Sequence, residues 1–139
     1  MVRKLLLFWI ACWPFIVVAE GDDCERIEHF NATAQHFLYT SPDSAFLYAN
    51  RALQLAEQTK CSASTANSHH IIGMVFFHQG VYQEAMTHLN DAEEIFKALN
   101  DKKSHAENLN QLGLVYFNIK QPDLALLQHQ KALAVLVVN

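Results

Sequence analysis

The sequence predicts an all-α fold of three antiparallel helix pairs, repeated with a period of 40. Three observations predict it. First, Gly73, Phe76-Phe77, Ala85, Ala92 and Ile95 recur as Gly113, Tyr116-Phe117, Ala125, Ala132 and Val135, each number higher by 40. A fixed period of that size marks a repeat array. One period earlier the echo is weaker: Thr33, His36-Phe37, Ala45, Ala52 and Leu55. Second, only 4 Gly and 3 Pro in 139 residues leave little room for the turns of an all-β fold. Long stretches rich in Ala, Leu, Gln and Glu favour helix instead. Third, apolar residues fall at spacings of three and four. A hydrophobic share of 51% against 17% charged residues indicates a globular chain and excludes disorder.

The chain opens with a different kind of segment. Arg3-Lys4 precede an uncharged run from Leu5 to Val18, and Val17-Val18-Ala19 suits a signal peptidase. Residues 1–19 are expected to be a secretory signal cut after Ala19. A membrane anchor is the alternative, but the run is short of the ~20 apolar residues a span needs, and Pro14 interrupts it. The globular domain is then 20–139, with repeats at about 24–60, 62–100 and 102–138. Without Arg3 and Lys4 the chain holds 8 basic against 14 acidic residues. No basic face is evident, so nucleic acid is not expected as a partner.

In the first unit, Ile27, Phe30, Ala34, Phe37 and Leu38 form one helical stripe over about Cys24 to Tyr39. Ser41-Pro42 starts the return helix, Ser as cap and Pro at the first helical position. It runs to about Gln58, with Ala45, Ala49, Ala52 and Ala56 as a stripe that admits a close neighbour. Cys61 to Ser64 break the pattern and offer caps. The second unit begins near Ser64. Ile72, Gly73, Phe76 and Phe77 face inward, Gly80 stops the helix, and Tyr82 to Leu99 return. Asn100 to Lys103 read as a polar turn. The third unit has helices from Ala106 to Ile119 and from Asp123 to about Val138, joined at Lys120-Gln121-Pro122. Gly73 and Gly113 within helices cost roughly 1 kcal/mol each against Ala. The expected reason is close packing against Ala85 and Ala125.

Cys24 starts one helix and Cys61 lies just past the end of its antiparallel partner, so the two sit at meeting ends of a hairpin. Export would let them form a disulfide; two unpaired thiols are the alternative. Among the 8 His, His69-His70 with His78 raise the question of a metal. His70 and His78 are two helical turns apart, too far for one tetrahedral site, so no metal and no cofactor is expected. Asn31-Ala32-Thr33 fits a glycosylation sequon but lies inside a predicted helix. Nothing in the sequence forms a phosphate loop or a nucleophile-base-acid set, so an enzyme is not expected.

The motif residues Ile72-Gly73-x-x-Phe76, Tyr82-x-x-Ala85 and Ala92, with Leu112-Gly113-x-x-Tyr116, Ala125 and Ala132, resemble tetratricopeptide repeats. The first unit matches only through Ala45 and Ala52, with Thr33 in place of the glycine. The resemblance spans about residues 25–138 and implies a right-handed α-solenoid. The long period and the leading signal segment resemble the exported front end of bacterial repeat-containing sensor histidine kinases and regulators. That implies a non-catalytic module for protein or peptide partners, periplasmic or otherwise extracytoplasmic. The alternative is a stand-alone envelope adaptor that assembles other proteins. Membrane contact is implied only through the signal segment or a span beyond this sequence.

The resemblance also implies a groove lined by the first helix of each pair. Its residues would be Asn67, His70, Met74, Phe77 and His78 in the second unit, and Glu107, Asn110, Leu114, Phe117 and Asn118 in the third. Phe30, Ala34, Phe37 and Leu38 fall there in the first. Phe37, Phe77 and Phe117 stand one period apart and would make either an aromatic ladder for a peptide or inter-repeat core. The Lys and Arg of carboxylate-clamping repeats are absent from these positions. Leu133 to Val138 are apolar, where a terminal repeat ordinarily has a polar cap. A longer receptor, self-association through the last helix and a truncated gene are the expectations that follow.

Overall fold

The structure is a computed structural model that describes residues 20–138. The expected signal segment lies outside the described residues. Six helices follow in order: α1 (Glu20–Phe37), α2 (Pro42–Thr59), α3 (Ser62–His78), α4 (Tyr82–Ala98), α5 (Lys102–Asn118) and α6 (Pro122–Val137). No strand occurs among the described residues. Each odd-numbered helix pairs with the next, and each pair packs on the following one. α1 touches α3, and α3 touches α5, whereas the even-numbered helices do not touch one another among the described residues. The odd helices therefore lie on the tighter, inner side of the stack, and the even ones splay outward.

The turns explain the regularity. Lys60, Gly80, Asn100 and Lys120 all have φ between 55° and 75°. They recur every half period, so each turn from the second onward reverses the chain through one left-handed residue. Glycine takes that conformation freely, whereas in L-residues it costs about 1–2 kcal/mol. Asn tolerates it through its short polar side chain. Nothing in the structure explains the two lysines.

The helix bounds depart most from the sequence reading in two places. α1 starts at Glu20, before Asp22-Asp23. α5 starts at Lys102, inside the stretch read as a polar turn. There the Asp101 side chain accepts from the Ser104 amide at 3.1 Å and caps the helix, so Lys102 and Lys103 already belong to it. Ser41 does not cap α2 through its hydroxyl. That hydroxyl meets the Ser44 hydroxyl at 2.8 Å instead.

The core runs between layers. The alanine stripe Ala45, Ala49, Ala52 and Ala56 of α2 is fully buried, and it brings α2 against α1 and α3. The cluster of Ala85, Leu89, Ala106, Leu109, Leu112, Val115 and Ala132 ties α4, α5 and α6 together. Gly73 admits α4, though through Leu89 as much as Ala85. A Cβ on Gly73 would stand 2.7 Å from Leu89 Cγ and 3.2 Å from the Ala85 carbonyl oxygen. Ala125 is not the residue over Gly113. The His129 ring is, at 2.7 Å from the corresponding Cβ position. His129 stands one period after Leu89, so the register repeats while the side chain changes.

Cys24 and Cys61 form a disulfide, with Cα atoms 5.7 Å apart. It ties the start of α1 to the turn after α2. None of the described helices is long and apolar enough to cross a membrane.

Candidate functional site

A cavity of about 200 Å³ opens on the inner side. α1 contributes Glu28, Asn31 and Gln35; α3 contributes Asn67 and His70; α5 contributes Glu107. These are the three inner helices, so the cavity spans all three repeats. Its exposed lining is mainly polar, and among the described residues it contains no Lys or Arg.

Hydrogen bonds fix the walls. Asn67 Nδ2 donates to the Glu28 carboxylate at 3.1 and 3.3 Å. Asn31 is 2% exposed. It donates to the Ser64 carbonyl at 3.2 Å and accepts from the Ser68 hydroxyl at 2.8 Å. Its burial closes the sequon to any sugar. Asn108, one period after Ser68, forms the next bridge. Its amide donates to the Leu89 carbonyl. That leaves its oxygen to accept from His70 Nδ1 at 2.8 Å. An amide oxygen can only accept, so the Nδ1 of His70 carries the proton. Burial lowers the His70 pKa below 6.5, against the opposing effects of the Asn108 bond and the Glu107 charge. His70 is thus neutral at pH 7, and Glu28 and Glu107 leave the cavity acidic.

Of the residues implied as groove-lining, Asn67, His70 and Glu107 meet in this cavity. The others do not. Met74 is 8% exposed and belongs to a core cluster with Leu38, Ala45 and Val75. Phe77 is half-buried against Tyr82, with ring centres 6.0 Å apart, and packs on the cluster holding Leu112 and Val115. His78 ends α3 and meets Tyr39 edge-on at 5.1 Å. Asn110 turns its side-chain oxygen to His129 Nδ1 of α6, at 3.0 Å. Leu114, Phe117 and Asn118 are exposed toward the end of α5. Asn118 donates to the Leu114 carbonyl. In the first unit Ala34 and Leu38 are buried.

The aromatic ladder resolves into core for two of its members. Phe37 stacks on Tyr48 at 5.9 Å and packs on the cluster that joins Leu38 and Ala45 to Met74 and Val75 of the next repeat. Phe77 does the equivalent one repeat on. Phe117 has no later repeat to meet among the described residues and is 63% exposed. Helical spacing identifies the face, but it does not say whether the next repeat covers that face.

Glu28 and Gln35 join the cavity without having been singled out by the motif, because the first unit is a poor copy of it. The signal for Glu28 is nonetheless present. Asn67 and Glu107 stand one period apart, and Glu28 lies within one residue of the matching position in the first unit.

The family model of the tetratricopeptide repeat matches residues 64–136, more than half of the chain. The chain belongs to the tetratricopeptide repeat family. Among curated proteins none matches it in sequence. Two solved structures share its tetratricopeptide architecture. One is the TPR domain of Arabidopsis FLU, 20% identical, with a TM-score of 0.73 over 82% of this chain and 97% of that one. The other is aspartyl phosphate phosphatase F from Bacillus subtilis, also 20% identical, with a TM-score of 0.76. That match covers 82% of this chain but only 30% of the phosphatase chain. At this identity the likeness is one of fold. Tetratricopeptide repeats as a family are protein-interaction modules, and this one has its inner helices arranged around a polar cavity.

Proposed function

We propose that this tetratricopeptide repeat domain docks an extended peptide segment of a partner protein and receives a basic side chain of it in the inner cavity. The observation that carries the reading is the presence of Glu28 and Glu107 around one cavity whose described lining has no Lys or Arg. A Lys or Arg entering it gains both carboxylates and the acceptor oxygens of Gln35 and Asn67. An acidic segment would meet only like charge. Exposed ion pairs contribute little, about 0–1 kcal/mol, so backbone and apolar contacts along the inner face must supply the rest of the affinity.

The domain acts, on this reading, without catalysis, as the sensory or docking part of an exported bacterial signalling protein. The Cys24–Cys61 disulfide supports the extracytoplasmic placement, since disulfides persist in oxidising compartments. The apolar residues of α6, with Leu126, Leu133 and Leu136 exposed, support a further contact by that helix with a second copy or a following segment.

The test is a fluorescence-anisotropy screen of extended peptides that differ only in a central Lys, Gln or Glu. Lys peptides should bind tightest, and Glu28→Gln with Glu107→Gln should abolish the preference. Equal binding of the Glu series, or a preference unchanged by both substitutions, refutes the proposal.

A further inference from the structure

On the edge of α3 that faces α4 lies a second cluster that the peptide reading does not use. His69 of α3 faces His88 and Asp91 of α4, and their ligand atoms all lie within 4.8 Å of one another. His88 and Asp91 are three positions apart and so share one face of α4. His69 Nδ1 is 2.9 Å from His88 Nδ1 and 3.8 Å from an Asp91 carboxylate oxygen. We propose that His69, His88 and Asp91 bind a borderline divalent transition cation such as Zn2+, Ni2+ or Cu2+.

The geometry points to a cation of this class. Tetrahedral zinc with bond lengths of about 2.0–2.1 Å holds neighbouring ligand atoms about 3.3 Å apart. Of the three separations, 2.9 and 3.8 Å bracket that spacing and the third lies within 4.8 Å, so the two histidines are already near it and the exposed Asp91 carboxylate swings in to complete the set. Two imidazoles with one carboxylate suit zinc, nickel and copper, whereas calcium and magnesium need oxygen ligands throughout. The His88 ring is also held. Phe76 stacks on His88 with ring centres 5.7 Å apart, and Phe46 meets Phe76 edge-on. Asp91 is exposed, which leaves a way in and an open coordination position for water.

Without metal, the two facing Nδ1 atoms share one proton, since one must donate to the other. A cation needs both lone pairs. That proton moves to the Nε2 of its own ring, so binding requires a tautomer change and no net loss of a proton. Burial lowers the pKa of both His69 and His88, and their mutual proximity lowers that of His88 further. Asp91 and Glu57 act in the opposite sense on His69. The rings are therefore neutral and available at pH 7.

The experiment uses untagged chain freed of metal by chelator, titrated with Zn2+ by calorimetry and followed by thermal unfolding. One equivalent should bind and raise the Tm. Removing a direct ligand should cost at least the roughly tenfold typical of losing a supporting one, so His88→Gln and the exposed Asp91→Asn should each weaken binding tenfold or more. His36→Gln, on α1, should not. Long-range nitrogen–proton spectra should show the His69 and His88 protons on Nε2 once Zn2+ is bound. The inference fails if no equivalent binds. It also fails if binding survives both ligand substitutions, or if the imidazole tautomers stay unchanged at saturation.

Discussion

Replacing each helical glycine by alanine tests how the repeats pack, because the two positions are equivalent in register and opposite in surroundings. At Gly73 the new methyl meets Leu89 Cγ at 2.7 Å and Cδ2 at 2.9 Å. Leu89 is completely buried in the cluster that joins α4 to α5 and α6. Its Cγ is a branch point, so it cannot step aside without driving two methyls into that cluster. The Ala85 carbonyl at 3.2 Å blocks the other direction. Overpacking costs about 1–3 kcal/mol, and two such close contacts with a fixed side chain place this site in the upper half of that range. The helix propensity gained on losing glycine offsets about 1 kcal/mol, so Gly73→Ala should destabilise by about 1–2 kcal/mol. At Gly113 the obstacle is the tip of the exposed His129 ring, which can rotate away by giving up its surface contact with Asn110. There the propensity gain prevails, and Gly113→Ala should be neutral or stabilising by up to about 1 kcal/mol. Urea unfolding followed by circular dichroism gives both values as midpoint shifts at constant m. Adding Leu89→Ala should remove the penalty at Gly73, which appears as a coupling energy in the double-mutant cycle. Equal destabilisation by the two alanines, or no coupling between positions 73 and 89, would refute the packing argument.

Three further outcomes are expected. Lys120→Gly should raise stability by up to about 1 kcal/mol, because it relieves a left-handed residue, while Gly80→Ala should lower it by a similar amount; thermal unfolding of the pair decides. Reducing the Cys24–Cys61 disulfide, with its sequence separation of 37, should cost about 4 kcal/mol in the chain-entropy model, read as a lower urea midpoint in the presence of a phosphine reductant. His69, His70 and His88 all have lowered pKa values, so the unfolded chain binds more protons than the folded one as pH falls below about 6.5. Their contribution is complete above that pH and is lost as pH falls through the lowered folded values. The urea midpoint should thus drop on acidification from neutral to mildly acidic pH, and His70→Gln should flatten that drop; a midpoint rising toward acid would contradict the assignment.

The architecture is legible in the sequence because the packing residues repeat. Gly73, Ala85 and Ala92 reappear at Gly113, Ala125 and Ala132, and helix pairs follow from the spacing alone. The inner cavity is only partly legible. Asn67, His70 and Glu107 lie on the helix face that the repeat pattern assigns to the groove. Met74 lies near that face too, but the first repeat covers it, which depends on contacts between units and not on spacing within one. Phe77 and Phe117 show the same point from the other side: equal register, different neighbours. The His69–His88–Asp91 cluster is hidden for a related reason. His69 and His88 lie on different helices across a turn, and a ligand search along one helix finds His70 and His78 instead. Only the antiparallel pairing of α3 with α4 brings the right histidines together.

The two proposed sites meet in one helix. His69 and His70 are consecutive on α3, about 100° apart around the helix axis, so one ring faces α4 while the other reaches α5 through Asn108. α3 also touches α1, α2, α4 and α5, more elements than any other of the described helices. Its seat against α4 is set by the close approach at Gly73 and Leu89. Its seat against α5 is set by the His70–Asn108–Leu89 bridge, in which Leu89 contributes its carbonyl. Leu89 therefore supports both: its side chain rests over Gly73 and its backbone holds the amide that orients His70. A small rotation of α3 about that contact would move the His69 ring relative to Asp91 and the His70 ring relative to Glu107 together. The polar cavity and the histidine cluster therefore rest on the same supporting contacts. They are neighbouring edges of the single helix whose position the glycine and the leucine determine.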